Sequence, residues 1–317
     1  MRLSVTTLSF ILIFSLFISA QAQPQPEGQP QLLIDHPELQ FQSPVWAPDG
    51  SSIAFTSARY QGIWTADASG NNLEQITDES AGFGFSWSMD SESILARISE
   101  YDDRRRFHAI KIFHTDGQEP TQLTELRSSM PATPIWANFD EKVVLINSGD
   151  VEAFDSGKEI PARFKQSATP SFYVLKQDAI AKGKVPQNST EDISPFEDAT
   201  YLSLQVSPDG QKLAFEVYGG NLYSMNIDGS NLVDLGQANR PRWSPDSDYV
   251  VASVSEDDGH DYVRSDLYAL KIDGTERVNL TSESDLIAMN PSWSPDGSKI
   301  VFDAANEGAI YVLNLVQ

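Results

Sequence analysis

Three features of the chain predict an all-β, six-bladed β-propeller of four-stranded antiparallel blades. There are six copies of a Trp-Ser-Pro-Asp-Gly-type turn, an alternating apolar strand follows each copy, and four β-type segments fit into each unit of roughly 40 to 50 residues. The copies are Trp46-Ala-Pro-Asp-Gly50, Trp87-Ser-Met-Asp-Ser91, Trp136-Ala-Asn-Phe-Asp140, Val206-Ser-Pro-Asp-Gly210, Trp243-Ser-Pro-Asp-Ser247 and Trp293-Ser-Pro-Asp-Gly297. Their starts lie 41, 49, 70, 37 and 50 residues apart, and five of the six tryptophans of the chain occupy the first position. A repeat of this kind places Trp46, Trp87, Trp136, Val206, Trp243 and Trp293 at equivalent structural positions. There packing at the blade seams, rather than a carbohydrate platform, is the expected role.

The turn has a stereochemical logic. Proline presets φ near −65° at the first central position, aspartate follows, and glycine takes the left-handed conformation that closes a bulged hairpin. Ser91, Asp140 and Ser247 stand where glycine is expected, each at some conformational cost. Second strands follow at Ser52 to Thr56, Ser93 to Arg97, Lys142 to Ile146, Lys212 to Glu216, Asp248 to Ala252 and Lys299 to Asp303. Third strands come next, as in Asn221-Leu-Tyr-Ser-Met225. Asp-Gly turns at Asp116-Gly117, Asp228-Gly229 and Asp273-Gly274 then lead to short outer strands such as Thr121-Gln-Leu-Thr124. The last unit ends without its outer strand. Gln31-Leu-Leu-Ile-Asp35 resembles the missing piece and is expected to close the ring, which removes exposed sheet edges.

Residues 1–22 read as a signal peptide: a basic start at Arg2, an apolar run from Leu8 to Ile18, and the small-x-small site Ala20-Gln21-Ala22. A Pro/Gln-rich linker at 23–31 and a propeller at 32–317 complete the division, with a periplasmic or secreted location. No later run is long and apolar enough for a membrane span. The formal charge of −23 and pI near 4.4 argue against nucleic acid as a partner, because the one basic run, Arg104 to Arg106, follows Asp102-Asp103 directly. The absence of cysteine rules out disulfides, thiolate metal sites and cysteine nucleophiles.

The Trp-Ser-Pro-Asp-Gly units resemble the propeller repeats of the TolB-like family, whose namesake is the periplasmic component of the Tol-Pal system. The resemblance runs from residue 32 to 317 and concerns the propeller portion only. That family places an α/β domain before its propeller, and residues 23–31 are the only ones here between the cleavage site and the first strand. Similar repeats precede the hydrolase domain of prolyl-oligopeptidase-like enzymes.

In a propeller blade the regular short turns gather on one face, while second-to-third-strand loops and inter-blade connections gather on the other, where binding is expected. Two loops on that second face mix Asp, Arg, Tyr and His. One is Glu100 to His108 in blade two, with Tyr101, Asp102, Arg104, Arg105 and His108. The other is Glu256 to Arg264, assigned to blade five, with Asp258, His260, Asp261, Tyr262 and Arg264. Solvated loops whose charges pair locally are the competing reading. A long insertion, Gly149 to Pro170, followed by a strand from Phe172 to Leu175, is assigned to blade three.

No cofactor is expected. The EF-hand pattern is absent, although a divalent cation at Asp257, Asp258 and Asp261, or in the central channel, stays open. No catalytic set is assigned, since Gly84-Phe-Ser-Trp-Ser88 falls short of a nucleophile elbow. The functional expectation is an exported, monomeric module that binds a protein or envelope glycan. The alternative is a polysaccharide lyase or hydrolase with His108 and His260 facing each other across the central funnel.

Overall fold

A computed structural model describes residues 23–147, 149–162, 171–176, 178–185 and 189–316. The expected signal peptide, residues 1–22, lies outside the described residues, as does part of the insertion, 163–170. Helix among the described residues is limited to a 3-10 turn, Ala58–Tyr60, and a 3-10 residue at Ala162. No helix there is long and apolar enough to cross a membrane.

The strands form seven sheets. Blade one is Phe41–Trp46, Ser52–Ser57, Gln61–Asp67 and Glu74–Thr77; blade two is Ser86–Trp87, Ser93–Asp102, Arg105–His114 and Thr121–Gln122. Blade three is Ile135–Ala137, Lys142–Asn147 and Asp150–Asp155, and blade four is Ser171–Lys176, Ala179–Lys184 and Thr190–Asp192. Blade five is Tyr201–Val206, Lys212–Val217, Leu222–Asn226 and Val233–Gly236. Blade six is Asn239–Trp243, Tyr249–Asp257, Tyr262–Lys271 and Arg277–Asn279. Blade seven contains Ala288–Trp293, Lys299–Ala304 and Ala309–Val316, and Gln31–Ile34 pairs antiparallel with its last strand. The expected closing strand is therefore in place, and Gln25–Pro26 extends the same edge.

The count of six blades is wrong; there are seven. The buried apolar residues form seven clusters, and each spans one seam between consecutive blades. One joins Leu95 and Ile112 of blade two to Val143 of blade three. Others join Ile146 of blade three to Phe172 of blade four, and Ile180 of blade four to Phe215 of blade five. The last joins Val301 of blade seven to Phe55 of blade one. The missed unit is blade four. The 70 residues between Trp136 and Val206 hold two blades, and nothing between them spells the turn by which blades are counted. What blade four does share is an outer-strand signature. Ile193 N–H donates to Ile180 O and Ile180 N–H to Ser194 Oγ, as Leu280 N–H donates to Leu267 O and Leu267 N–H to Thr281 Oγ1 in blade six. Asp150–Asp155 is thus the third strand of blade three, and Ser171–Lys176 belongs to a new blade rather than to blade three.

The repeated turns fold as their residues dictate. Gly50, Gly210 and Gly297 have φ of 74, 70 and 75°, and Ser91, Asp140 and Ser247 adopt the same conformation at 63, 68 and 66°. These three departures have a compensating role. Ser91 Oγ accepts the N–H of Asp49 from blade one, Ser247 Oγ accepts that of Asp209 from blade five, and Asp140 Oδ2 accepts that of Met89 from blade two. Where glycine is kept, a Cβ at Gly50 would stand 3.6 Å from Pro295, in the turn of blade seven. Each non-glycine residue accepts backbone strain and gains a tie to the preceding blade's turn.

Candidate functional site

Two hairpins stand out on the face opposite these turns. In blade two, Ser93–Asp102 and Arg105–His114 stay paired to Asp102↔Arg105, and in blade six the ladder runs to Asp257↔Tyr262. The equivalent ladder of blade five stops at Glu216↔Leu222. Counted from each repeat's first residue, the blade-two hairpin reaches roughly 17 Å further, at about 3.3 Å per residue.

The predicted residues fall on these hairpins as follows. Tyr101 is 70% exposed, with the Arg106 guanidinium 6.0 Å from its ring centre. Asp102, Arg104 and Arg105 are exposed at the tip. His108 is not in a loop. It lies in the third strand opposite Ser99, and its Nδ1 is 3.0 Å from Ser99 Oγ. Burial, and then the charges of Arg97 and Arg106, hold its pKa below the usual histidine value.

In blade six, Asp258 Oδ1 accepts the N–H groups of His260 and Asp261, both at 2.9 Å, which fixes the turn and holds its carboxyl below the usual range. Asp257 Oδ1 accepts Gly259 N–H in the same way. His260 is exposed at the tip, as are Tyr262 and Arg264. The Arg264 guanidinium donates twice to Asp266 Oδ2, at 3.1 and 2.8 Å. His108 thus lies on the third strand of blade two and His260 on the hairpin tip of blade six. Among the described residues no group of three His, Asp or Glu side chains gathers as metal ligands would.

The repeat tryptophans lie at the seams. Trp46, Trp87, Trp243 and Trp293 are each at most 8% exposed, and each packs in the cluster shared with the preceding blade. Three indole N–H groups reach across: Trp87 to Val45 O, Trp136 to Ser86 O and Trp243 to Gln205 O. Val206 is 41% exposed, and Tyr201 and Phe215 fill that seam instead.

Ten residues after each repeat start, near the end of the second strand, stand Thr56, Arg97, Ile146, Glu216, Ser253 and Asp303. Three of these side chains grip the entry of the next blade. Arg97 Nη1 donates to Met130 O at 2.6 Å and to Pro131 O at 3.1 Å, ahead of the first strand of blade three. Glu216 accepts Arg240 N–H at 2.6 Å and the Asn239 amide at 2.9 Å. Asp303 Oδ1 accepts Ser43 N–H and the Asn290 amide, both at 2.8 Å. Arg240 in turn donates to Asn290 Oδ1. A polar network thus runs from blade five through six and seven to blade one, level with the start of the innermost strands.

The acceptors are met by a repeated kink. Ser43, Gly84, Ser203, Arg240 and Asn290, each three residues before the repeat start, have φ between 48 and 68°. Bulges at Gln42/Val45, Leu202/Gln205, Asn239/Arg242 and Met289/Ser292 accompany four of them. Beside the network, a cavity of about 320 Å³ opens between blades five and six, lined by Leu202, Glu216, Tyr218, Gln237 and Asn239 among others. Sequence reasoning looked to the long hairpins and missed this region. The available signal was the charged or polar residue closing several second strands, Arg97, Glu216 and Asp303, in otherwise apolar segments.

Comparison with known proteins places this geometry in context. No family model matches the chain. A protein TolB homolog from Chlorobium luteolum is 30% identical over 124 residues, which cover 36% of this chain and 26% of that protein. The matched part thus spans about a quarter of its relative. Among solved structures, a chain of the mitotic checkpoint complex superposes with a TM-score of 0.56 at 16% identity, covering 99% of this chain and 98% of that one. An oligogalacturonate lyase in complex with manganese gives 0.53 at 14% identity, over 93% and 96%. These two likenesses are to the fold.

Proposed function

We propose that the protein is an exported binding module that engages a protein or envelope component through the hairpin-bearing face of its propeller. The observation that carries the reading is the pair of long hairpins, which raise exposed Tyr101, Tyr262 and Val263 among charged side chains. Aromatic anchors ringed by arginine and carboxylate are the composition of recognition surfaces. The partial likeness to a TolB homolog supports an envelope location. The alternative, a polysaccharide-active lyase or hydrolase with a site in the central funnel, draws its support from the likeness in fold to an oligogalacturonate lyase.

The test is a pull-down from envelope extract with the mature chain, against a variant carrying Tyr101→Ala, Arg105→Ala and Tyr262→Ala. A specific partner whose affinity falls at least tenfold in the variant, about 1.4 kcal/mol, supports the reading. A partner retained equally by both forms moves the interface off the hairpins and refutes it.

A further inference from the structure

On the innermost strands of the six blades that carry the repeat turn, Arg240 and Arg242 are the only charged residues, and both belong to blade six. The residue just before each repeat tryptophan or valine is Val45, Ser86, Ile135, Gln205, Arg242 or Ser292, so Arg242 alone is charged at that level. Both stand on the innermost strand of blade six, in a chain whose formal charge is −23. Repeat packing does not require this pair, since five other blades use small or neutral side chains there.

The neighbouring groups are already committed. Glu216 is held by Arg240 N–H and the Asn239 amide, Asp303 by Ser43 N–H and the Asn290 amide, and the Arg240 guanidinium by Asn290. Arg242 is the exception. It is half-buried, its Nη1 donates to the adjacent Pro241 O at 3.2 Å, and among the described residues no carboxylate lies within 4.0 Å of it. A guanidinium carries five donors, and Glu216, beyond salt-bridge range, is the opposite charge that acts on this one. Burial first, and Arg240 second, pull its pKa below the usual arginine value.

We propose that Arg242, supported by Arg240, forms an anion site in the central channel that takes the carboxylate of an acidic saccharide. One open guanidinium matches one carboxylate in the bidentate manner. A dianionic group would leave charge uncompensated beside Glu216 and Asp303. The surroundings suit a sugar better than a peptide. Gln205 and Ser292 flank Arg242 in the adjacent blades, and the cavity beside the network, which neither arginine lines, offers Gln237 and the 75% exposed Tyr218 within reach of an oligosaccharide. Amides and a carboxylate address ring hydroxyls, and a free tyrosine ring offers a stacking surface. The site goes beyond the hairpin reading and does not depend on it.

The experiment is calorimetric titration of the full mature chain with galacturonate and mannuronate trisaccharides, each beside its methyl-esterified, uncharged counterpart. The expected result is that at least one acid trisaccharide binds, and that its ester binds at least tenfold more weakly. Arg242→Gln should then lower affinity at least tenfold and Arg242→Lys by less. Tyr218→Ala, an exposed position outside the core, should weaken binding without moving the melting temperature, so the test survives if the arginine variants fold poorly. The hairpin variant Tyr101→Ala/Arg105→Ala/Tyr262→Ala should bind the sugar unchanged. Equal binding of acid and ester, no binding of either acid by the folded chain, or affinity indifferent to Arg242→Gln and Tyr218→Ala would each overturn the proposal. Arg242-dependent capture of an acidic peptide with no response to the sugars would overturn the saccharide assignment.

Discussion

Replacing Asp303 by asparagine should stabilise the protein at neutral pH and leave it nearly unchanged in mild acid. Asp303 is 4% exposed at the seam between blades seven and one. Its Oδ1 accepts two hydrogen bonds, and among the described residues no cation forms a salt bridge with it. Burial raises its pKa from 3.8 to about 6, against the opposing pull of Ser43 N–H, the Asn290 amide and the more distant Arg240. The folded chain therefore binds this proton more tightly than the unfolded chain does. Stability contributed by the protonated form is fully present below about pH 4 and is lost as pH rises through about 6. A gap of roughly two pH units at 1.36 kcal/mol each sets an upper bound of about 3 kcal/mol at pH 7.5.

Asparagine keeps an acceptor for both bonds and carries no charge. We expect Asp303→Asn to gain about 1–2 kcal/mol at pH 7.5, which is a rise of roughly 2–8 °C in melting temperature for a domain of this size. The assay is thermal denaturation followed by circular dichroism for both proteins at pH 4.5, 6 and 7.5. Subtracting wild type from variant cancels the acid loss caused by carboxyls with lowered pKa, such as Asp49 and Asp296. A difference that is flat across the three pH values, or an asparagine variant less stable at pH 7.5 than at 4.5 relative to wild type, would show that Asp303 is not a strained carboxylate.

Three further outcomes follow from the packing. Trp243→Ala should cost about 3–5 kcal/mol, because the ring fills the seam between blades five and six; an unmoved melting temperature would show that the indole is not a packing residue. Ser247→Ala should destabilise by about 1 kcal/mol through loss of the Asp209 N–H acceptor. Ser247→Gly should fall short of that loss, since relief of the positive φ offsets part of it, and urea melts that reverse the order would refute the account. Ile34→Ala should cost about 2–4 kcal/mol, as for a core residue rather than a linker, because Ile34 is 4% exposed and pairs with Ile310; a loss under 0.5 kcal/mol in the same melts would place the N-terminal strand outside the blade.

Most of the fold was legible in the sequence because one turn does two jobs. Pro-Asp-Gly sets local dihedrals, and the tryptophan before it fills a seam, so local and tertiary signals coincide in one pentapeptide. Blade four was invisible for the converse reason: what marks it is the Asp192-Ile-Ser194 ending, whose meaning lies in hydrogen bonds to Ile180. The hairpins were found as polar runs, but a polar run does not tell a loop from a strand ladder extended past the sheet, which is why His108 was misplaced. The network of Glu216, Arg240, Asn290 and Asp303 draws on residues up to 87 positions apart. Each is an ordinary strand residue until the blades are set side by side.

The ties between successive turns have a mechanical meaning. Asp49 to Ser91, Met89 to Asp140 and Asp209 to Ser247 link neighbouring turns along one rim. They act like staves held by a hoop. A load on a tall hairpin at the opposite rim is spread over several blades instead of levering one out. That lets one end of the barrel of blades vary in height and charge while the other keeps its circumference.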